Sequence, residues 1–198
     1  MSDTINATAA ESKFTPHPEG QFVAKCVDVI DLGEVVTDFP GTPKYLSKKC
    51  ALVFRTGQQN PENNEVIDIA AEFTVSMGDK ANLRKFLEAW RGKAYTPEQV
   101  KDGVPLHKLT GNWGLLTIEH KKSGKGRTYA KINSIAGVPA LMLKHLPALD
   151  DYKERADFWA EKKKANADAV RLYKAEIGAT HEEPEVGGTD DMDDDLPF

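Results

Sequence analysis

Between Ile67 and Trp90 the chain changes its period, and that change constrains the fold more than any other feature. Ile67, Ile69, Ala71, Phe73 and Val75 alternate with Asp68, Glu72 and Thr74, the period of two that marks a strand with one buried face. Leu83, Phe86, Leu87 and Trp90 then recur at i, i+3, i+4 and i+7, after Gly78-Asp79 as a start signal and before Gly92 as a stop. This spacing predicts an amphipathic helix over 80–91, with Trp90 on its core face. A strand and a helix therefore have to share one core.

The flanking stretches read as further strands. Residues 21–31 are rich in β-branched side chains, and the alternation of Phe22, Ala24 and Cys26 slips near Val27, as in a bulged, curving strand. Residues 32–43 hold Gly33, Pro40, Gly41 and Pro43 and read as a long loop with Phe39 at its crest. In 44–56, Leu46, Cys50, Leu52 and Phe54 share one face while Tyr45, Lys49 and Arg55 take the other, predicting a half-buried strand with a basic, aromatic outer side. Thr96-Pro97-Glu98-Gln99 starts a short helix, with Thr as cap and Pro in the first turn. Residues 112–121 and 127–135 form a hairpin around the glycine turn 122–126. Residues 150–177 are helical in pattern, their apolar stripe interrupted by Lys163 and Asn166, and Gly178 ends them.

The element order is three strands, a helix, two strands and an appended helix. This predicts a mainly β protein, a five-stranded oligonucleotide-binding (OB) barrel with a helix between strands 3 and 4 and a C-terminal helix. The expected organisation is a disordered lead at 1–13, the OB body at 14–149, the helix at 150–178 and a disordered acidic tail at 179–198. Residues 1–11 lack the basic and apolar regions of a signal peptide and no 18-residue apolar run occurs, so a cytoplasmic protein without membrane contact is expected. Cys26 and Cys50 read as buried thiols in such a reducing compartment.

Charge is distributed unevenly. The formal net charge is −5, but residues 181–198 carry Glu182, Glu183, Glu185, Asp190, Asp191, Asp193, Asp194 and Asp195 and no Lys or Arg. Of the 31 acids, eight lie there, leaving 23 against 26 bases, a formal +3 on the remainder. A mildly basic body with an acidic arm suits a protein that binds a polyanion with one part and a basic partner with the other.

Binding a single strand without reading its sequence takes cations for the phosphates and flat side chains for the bases. Stretch 113–131 supplies Lys121, Lys122, Lys125, Arg127 and Lys131 around Trp113 and Tyr129, against Glu119 as its one acid; Tyr45, Lys48, Lys49 and Arg55 add to this set. Tyr129 alternates with Arg127 and Lys131 and should face outward. Trp113 is left open between core and stacking partner, because the double Leu115-Leu116 leaves its face ambiguous, and Phe39 between loop staple and stacking finger. Glu119-His120-Lys121 also matches half of a restriction-type nuclease site, which would need Asp102 as its other metal ligand. Asp102 sits in a Gly-Pro loop without strand signal, the five histidines have no ligand spacing, and neither cysteine has a CxxC partner, so no enzyme activity, metal or cofactor is expected.

Two resemblances bear on function. Asp193-Asp194-Asp195-Leu196-Pro197-Phe198 resembles the acidic tip of bacterial single-stranded-DNA-binding proteins, which typically read Asp-Asp-Asp-Ile-Pro-Phe; Leu196 replaces the isoleucine and keeps its apolar volume. Residues 20–33, 83–93 and 109–120 are similar in style to phage-encoded single-stranded-DNA-binding proteins with an OB core. The resemblance implies sequence-independent binding and protection of single-stranded DNA in replication, recombination or repair in a host cytoplasm, with the tip recruiting replication and repair proteins. The alternative is an interaction protein whose tip competes for those partners while the body leaves DNA alone. Self-association is left open.

Overall fold

The computed structural model describes residues 15–179 apart from 39, 40, 125, 147, 150, 151, 153 and 154. The expected lead at 1–13, the acidic tip, Phe39 and Lys125 lie outside the described residues. Five strands, β1 (Gly20–Thr37), β2 (Tyr45–Gln59), β3 (Val66–Thr74), β4 (Trp113–Lys122) and β5 (Thr128–Gly137), form one antiparallel sheet in the order β3-β2-β1-β4-β5. Helix α1 (Asn82–Arg91) and the short α2 (Pro97–Asp102) lie between β3 and β4, and α3 (Ala156–Ala179) follows β5. The sheet is not closed: β3 and β5, its two edges, come into contact, but no ladder joins them among the described residues. The protein is mainly β with an appended helix, as its element order predicts. No helix among the described residues is long and apolar enough to cross a membrane.

Strand β1 holds the sheet together. Gly20 through Lys25 pair with β4, and Lys25 through Thr37 pair with β2. The ladder with β2 shifts register between Cys26 and Asp28, where the alternation slips in the sequence, and again between Asp31 and Gly33. Each inserted residue moves the following side chains to the opposite face. Ala24, Cys26 and Val29 thus serve an inner core, and Ile30 and Leu32 an outer one. The second bulge also corrects the expected loop at 32–43. Gly33 takes φ of 69°, its N–H donates to Asp31 Oδ1 at 2.8 Å, and the strand continues to Thr37. Glycine here kinks a strand where the sequence reads as a loop.

The inner core gathers Cys26, Leu52, Phe54, Ile69, Leu116, Ile118, Ile132 and Ile135 under Leu83, Leu87 and Trp90 of α1. Trp90 stacks at a tilt on Phe54 with ring centroids 5.4 Å apart and donates from Nε1 to the Trp113 carbonyl at 2.8 Å. Gly114 is required by this packing: a Cβ there would stand 2.8 Å from Ile135 Cδ1 and 2.9 Å from Trp90 Nε1. Thr96 caps α2 as expected, accepting from the Gln99 N–H while the Gln99 side chain accepts from the Thr96 N–H.

The outer core lies on the other face of β1 and β2, where Ile30, Leu32, Ala51 and Val53 are covered by Trp159 of α3. Residues Cys50 through Thr56 of β2 are consequently buried on both faces. Asn166, which breaks the apolar stripe in the sequence, lies at this docking surface and donates from Nδ2 to the Leu32 carbonyl at the second bulge, 3.3 Å away. The interruption satisfies a carbonyl that the bulge takes out of the ladder. Farther along α3, Tyr173 donates to the Lys44 carbonyl at 2.6 Å, and Lys174 pairs with Glu34 at 3.0 Å.

Candidate nucleic-acid interface

The β4–β5 hairpin presents five of the expected binding residues together, Lys121, Lys122, Arg127, Tyr129 and Lys131. In β4, Gly114, Leu116 and Ile118 are buried, so Trp113, Leu115, Thr117 and Glu119 take the opposite face. Lys121 pairs across the ladder with Tyr129, and Glu119 with Lys131. Tyr129 is 41% exposed, and its outward direction is the one that its alternation with Arg127 and Lys131 predicts. Lys122, Arg127 and Lys131 are exposed and carry no ion pair among the described residues. The hairpin's acid is already engaged: Glu119 accepts from Lys121 Nζ at 2.9 Å and from Asn133 Nδ2 at 2.8 Å. Its hydrogen bond holds the Lys121 ammonium above the ordinary lysine range. The outer side of this hairpin is therefore a cationic strip around one exposed aromatic ring.

A hydrogen-bonded relay fixes the hairpin to the body. His120 N–H donates to Glu19 Oε1 at 2.6 Å, and His120 Nε2 donates to the His17 carbonyl at 2.8 Å. His17 is itself buried, 2% exposed, with Nδ1 2.9 Å from the Pro18 carbonyl and Nε2 2.6 Å from Thr56 Oγ1. A carbonyl can only accept, so Nδ1 carries the proton, and in the neutral ring Nε2 accepts from the Thr56 hydroxyl. Burial pushes the His17 pKa down and favours this neutral form. Scattered in sequence, the two histidines serve as a clamp, which spacing could not reveal because the partners are more than a hundred residues apart in the case of His17 and His120.

The remaining expected residues are placed elsewhere. Trp113 lies at the other end of β4 from the turn, half-buried on the outer face, with the Lys25 ammonium 6.0 Å from its ring. It lines a hollow with Trp90, Leu109, Val138 and Leu143. Tyr45, Lys48 and Lys49 sit at the opposite end of β1 from the hairpin, Lys48 opposite Glu34 and Lys49 between Gly33 and Thr74. Tyr45 and Lys48 are exposed; Lys49 is half-buried. Arg55 departs from the basic outer face expected of its strand. It is 5% exposed, forms a two-bonded pair with Asp68 at 2.8 and 3.0 Å, and lies under the Tyr152 ring at 5.2 Å. The physical reason is the cover over β2: a cation there stays charged only with a carboxylate partner.

The sequence did not single out a cleft beside the hairpin. A hollow of about 720 Å³ runs along the β3 edge, with Tyr129 on one side and Tyr152, Arg155, Phe158 and Trp159 on the other. Tyr129 and Ala130 also line a second groove of about 670 Å³, which continues between β3 and β5 to Lys85 and Phe86 of α1 and Lys131 of β5. Among the described residues, no group of three or more His, Cys, Asp or Glu side chains gathers as a metal site. Comparison with known proteins finds no matching family model, no similar curated protein and no similar solved structure.

Proposed function

We propose that the protein is a non-enzymatic single-stranded-DNA-binding protein whose sheet is an open form of the OB barrel. The strand order β3-β2-β1-β4-β5, with a helix before β4 and the β3 and β5 edges in contact, supports this connectivity. The observation that carries the function is the hairpin: exposed Tyr129 among Lys121, Lys122, Arg127 and Lys131, with Glu119 occupied by Lys121 and Asn133. Phosphates meet the cations and a base stacks on the ring, a combination that tolerates every sequence. Lys125, in the same turn of the sequence, is assigned to this set from its position in the chain alone. Tyr45, Lys48 and Lys49 would contact only a strand long enough to pass along the sheet. Arg55 contributes by holding Asp68 and not by contacting DNA.

The acidic tip, Asp193-Asp194-Asp195-Leu196-Pro197-Phe198, is read as the arm that recruits replication or repair proteins through a basic pocket with an apolar hole. Charge reversal at Lys121, Arg127 and Lys131 together tests the assignment of the body. Affinity for a labelled oligo-dT at low salt should drop by more than about a hundredfold, while capture of tip-binding partners is unchanged. Unchanged DNA affinity in the folded variant would move the DNA site off the hairpin, and no oligo-dT binding by the unaltered protein would instead favour a protein that works through its tip alone.

A further inference from the structure

We infer that the start of α3 and the residue before it are part of the DNA site, with Phe158 as a base-stacking platform and Arg155 as its phosphate contact, opposite Tyr129 across the cleft. This rests on the reading of the body as a single-strand binder. Phe158 is 43% exposed, although its neighbour Trp159 is buried in the outer core. Its ring is held edge-on against Trp159 at 4.9 Å, and the Arg155 guanidinium lies over it at 4.7 Å. The ring thus has contacts that orient it before any ligand arrives, with a cation over it. Tyr129 and Phe158 line the same cleft, and Lys131 lines the groove that adjoins it at Tyr129 and Ala130.

Two of the three carboxylates lining this cleft are paired with cations, Asp68 with Arg55 and Glu72 with Lys162, and Glu65 accepts from the neutral Asn63 amide. Arg155, exposed and on the aromatic wall, remains for a phosphate, as do Arg127 and Lys131 on the hairpin side. The cleft also runs beside β3 and β5, whose facing edges are unpaired with each other among the described residues, so base edges find backbone donors and acceptors there. Helix α3 covers the outer face of β2, a surface that a bare sheet would offer to a ligand, and supplies an aromatic residue at the border of that cover. A strand of DNA would therefore pass between hairpin and helix, touching both.

The test compares oligo-dT with an abasic strand of equal length, using the full chain and fluorescence anisotropy. Phe158→Ala should weaken oligo-dT binding about fivefold or more while leaving abasic binding and the salt slope unchanged, since stacking needs a base. Arg155→Gln should weaken both strands and flatten the slope. Because Phe158 touches a core residue, a second measurement uses the unaltered protein: ultraviolet crosslinking to an iodouracil strand should map to both Tyr129 and Phe158. Wild-type binding to oligo-dT with no crosslink at Phe158, or with undiminished affinity in a Phe158→Ala variant that melts cooperatively, would overturn the inference alone. Absence of wild-type binding to oligo-dT would overturn the reading on which it rests.

Discussion

At the scale of single residues, polar side chains do most of the positioning. His17 is the clearest case, a buried imidazole that spans the Pro18 carbonyl and the Thr56 hydroxyl while its own carbonyl receives His120. Its folded pKa lies below the ordinary value of 6.5, so the unfolded chain takes up a proton first as pH falls. The stabilisation from neutral His17 is therefore complete above pH 6.5 and is lost progressively below it, down to the folded pKa. Urea midpoints measured from pH 8 to pH 5 should be level at first and then fall, and His17→Gln should remove much of that fall. A level profile in the unaltered protein would contradict the clamp. Arg55 shows why a residue's role escaped the sequence. Its alternation with Leu52 and Phe54 correctly put it on the face opposite the inner core, but periodicity does not tell solvent from a second core. Tyr129, with no cover over it, kept the exposure that its alternation indicated.

At the scale of elements, β1 and α3 differ most from a reading of local pattern. The helix in 80–91, the hairpin and all five strands are legible in the sequence, most clearly where the period is regular, as in β3 and α1. The stretch 32–43 reads as a loop because Gly33 and two prolines are loop signals, yet a bulge with Asp31 as its acceptor lets β1 run to Thr37. The apolar stripe of α3 reads as interrupted at Lys163 and Asn166; Asn166 is itself a docking residue, bonding Leu32, while Lys163 is exposed. Its hold on the sheet centres on Trp159, which fills the outer core between Ile30, Leu32, Ala51 and Val53. Trp159→Ala should cost about 3–5 kcal/mol in urea unfolding, as for other buried aromatic residues. A loss under about 1 kcal/mol would mean that α3 does not stay docked in solution.

At the scale of the whole molecule, the proposed division of labour rests on charge. Formally basic over residues 1–180 and acidic beyond, the chain has the charge asymmetry that the proposed function requires, one part for a polyanion and another for a basic partner. Of the residues picked out in the sequence, Lys121, Lys122, Arg127, Tyr129 and Lys131 come together in space. Trp113 and the trio Tyr45, Lys48 and Lys49 lie at other ends of the sheet, because residues on one strand face can still be a whole strand length apart. The aromatic wall of α3 could not be found from sequence, since its neighbours in the cleft come from β3 and β5.

The measurement that bears most directly on this account is the affinity of the full chain for oligo-dT, and for duplex DNA of equal length, across a range of salt. The account expects tight oligo-dT binding at low salt. Log affinity should fall linearly with log salt, by about 0.7 in slope for each phosphate contacted, giving a slope of roughly −4 if all of the cations assigned to the hairpin and cleft meet phosphates. Duplex binding should be much weaker at every salt concentration. Equal or tighter binding to duplex, or no binding to oligo-dT at low salt, would contradict it.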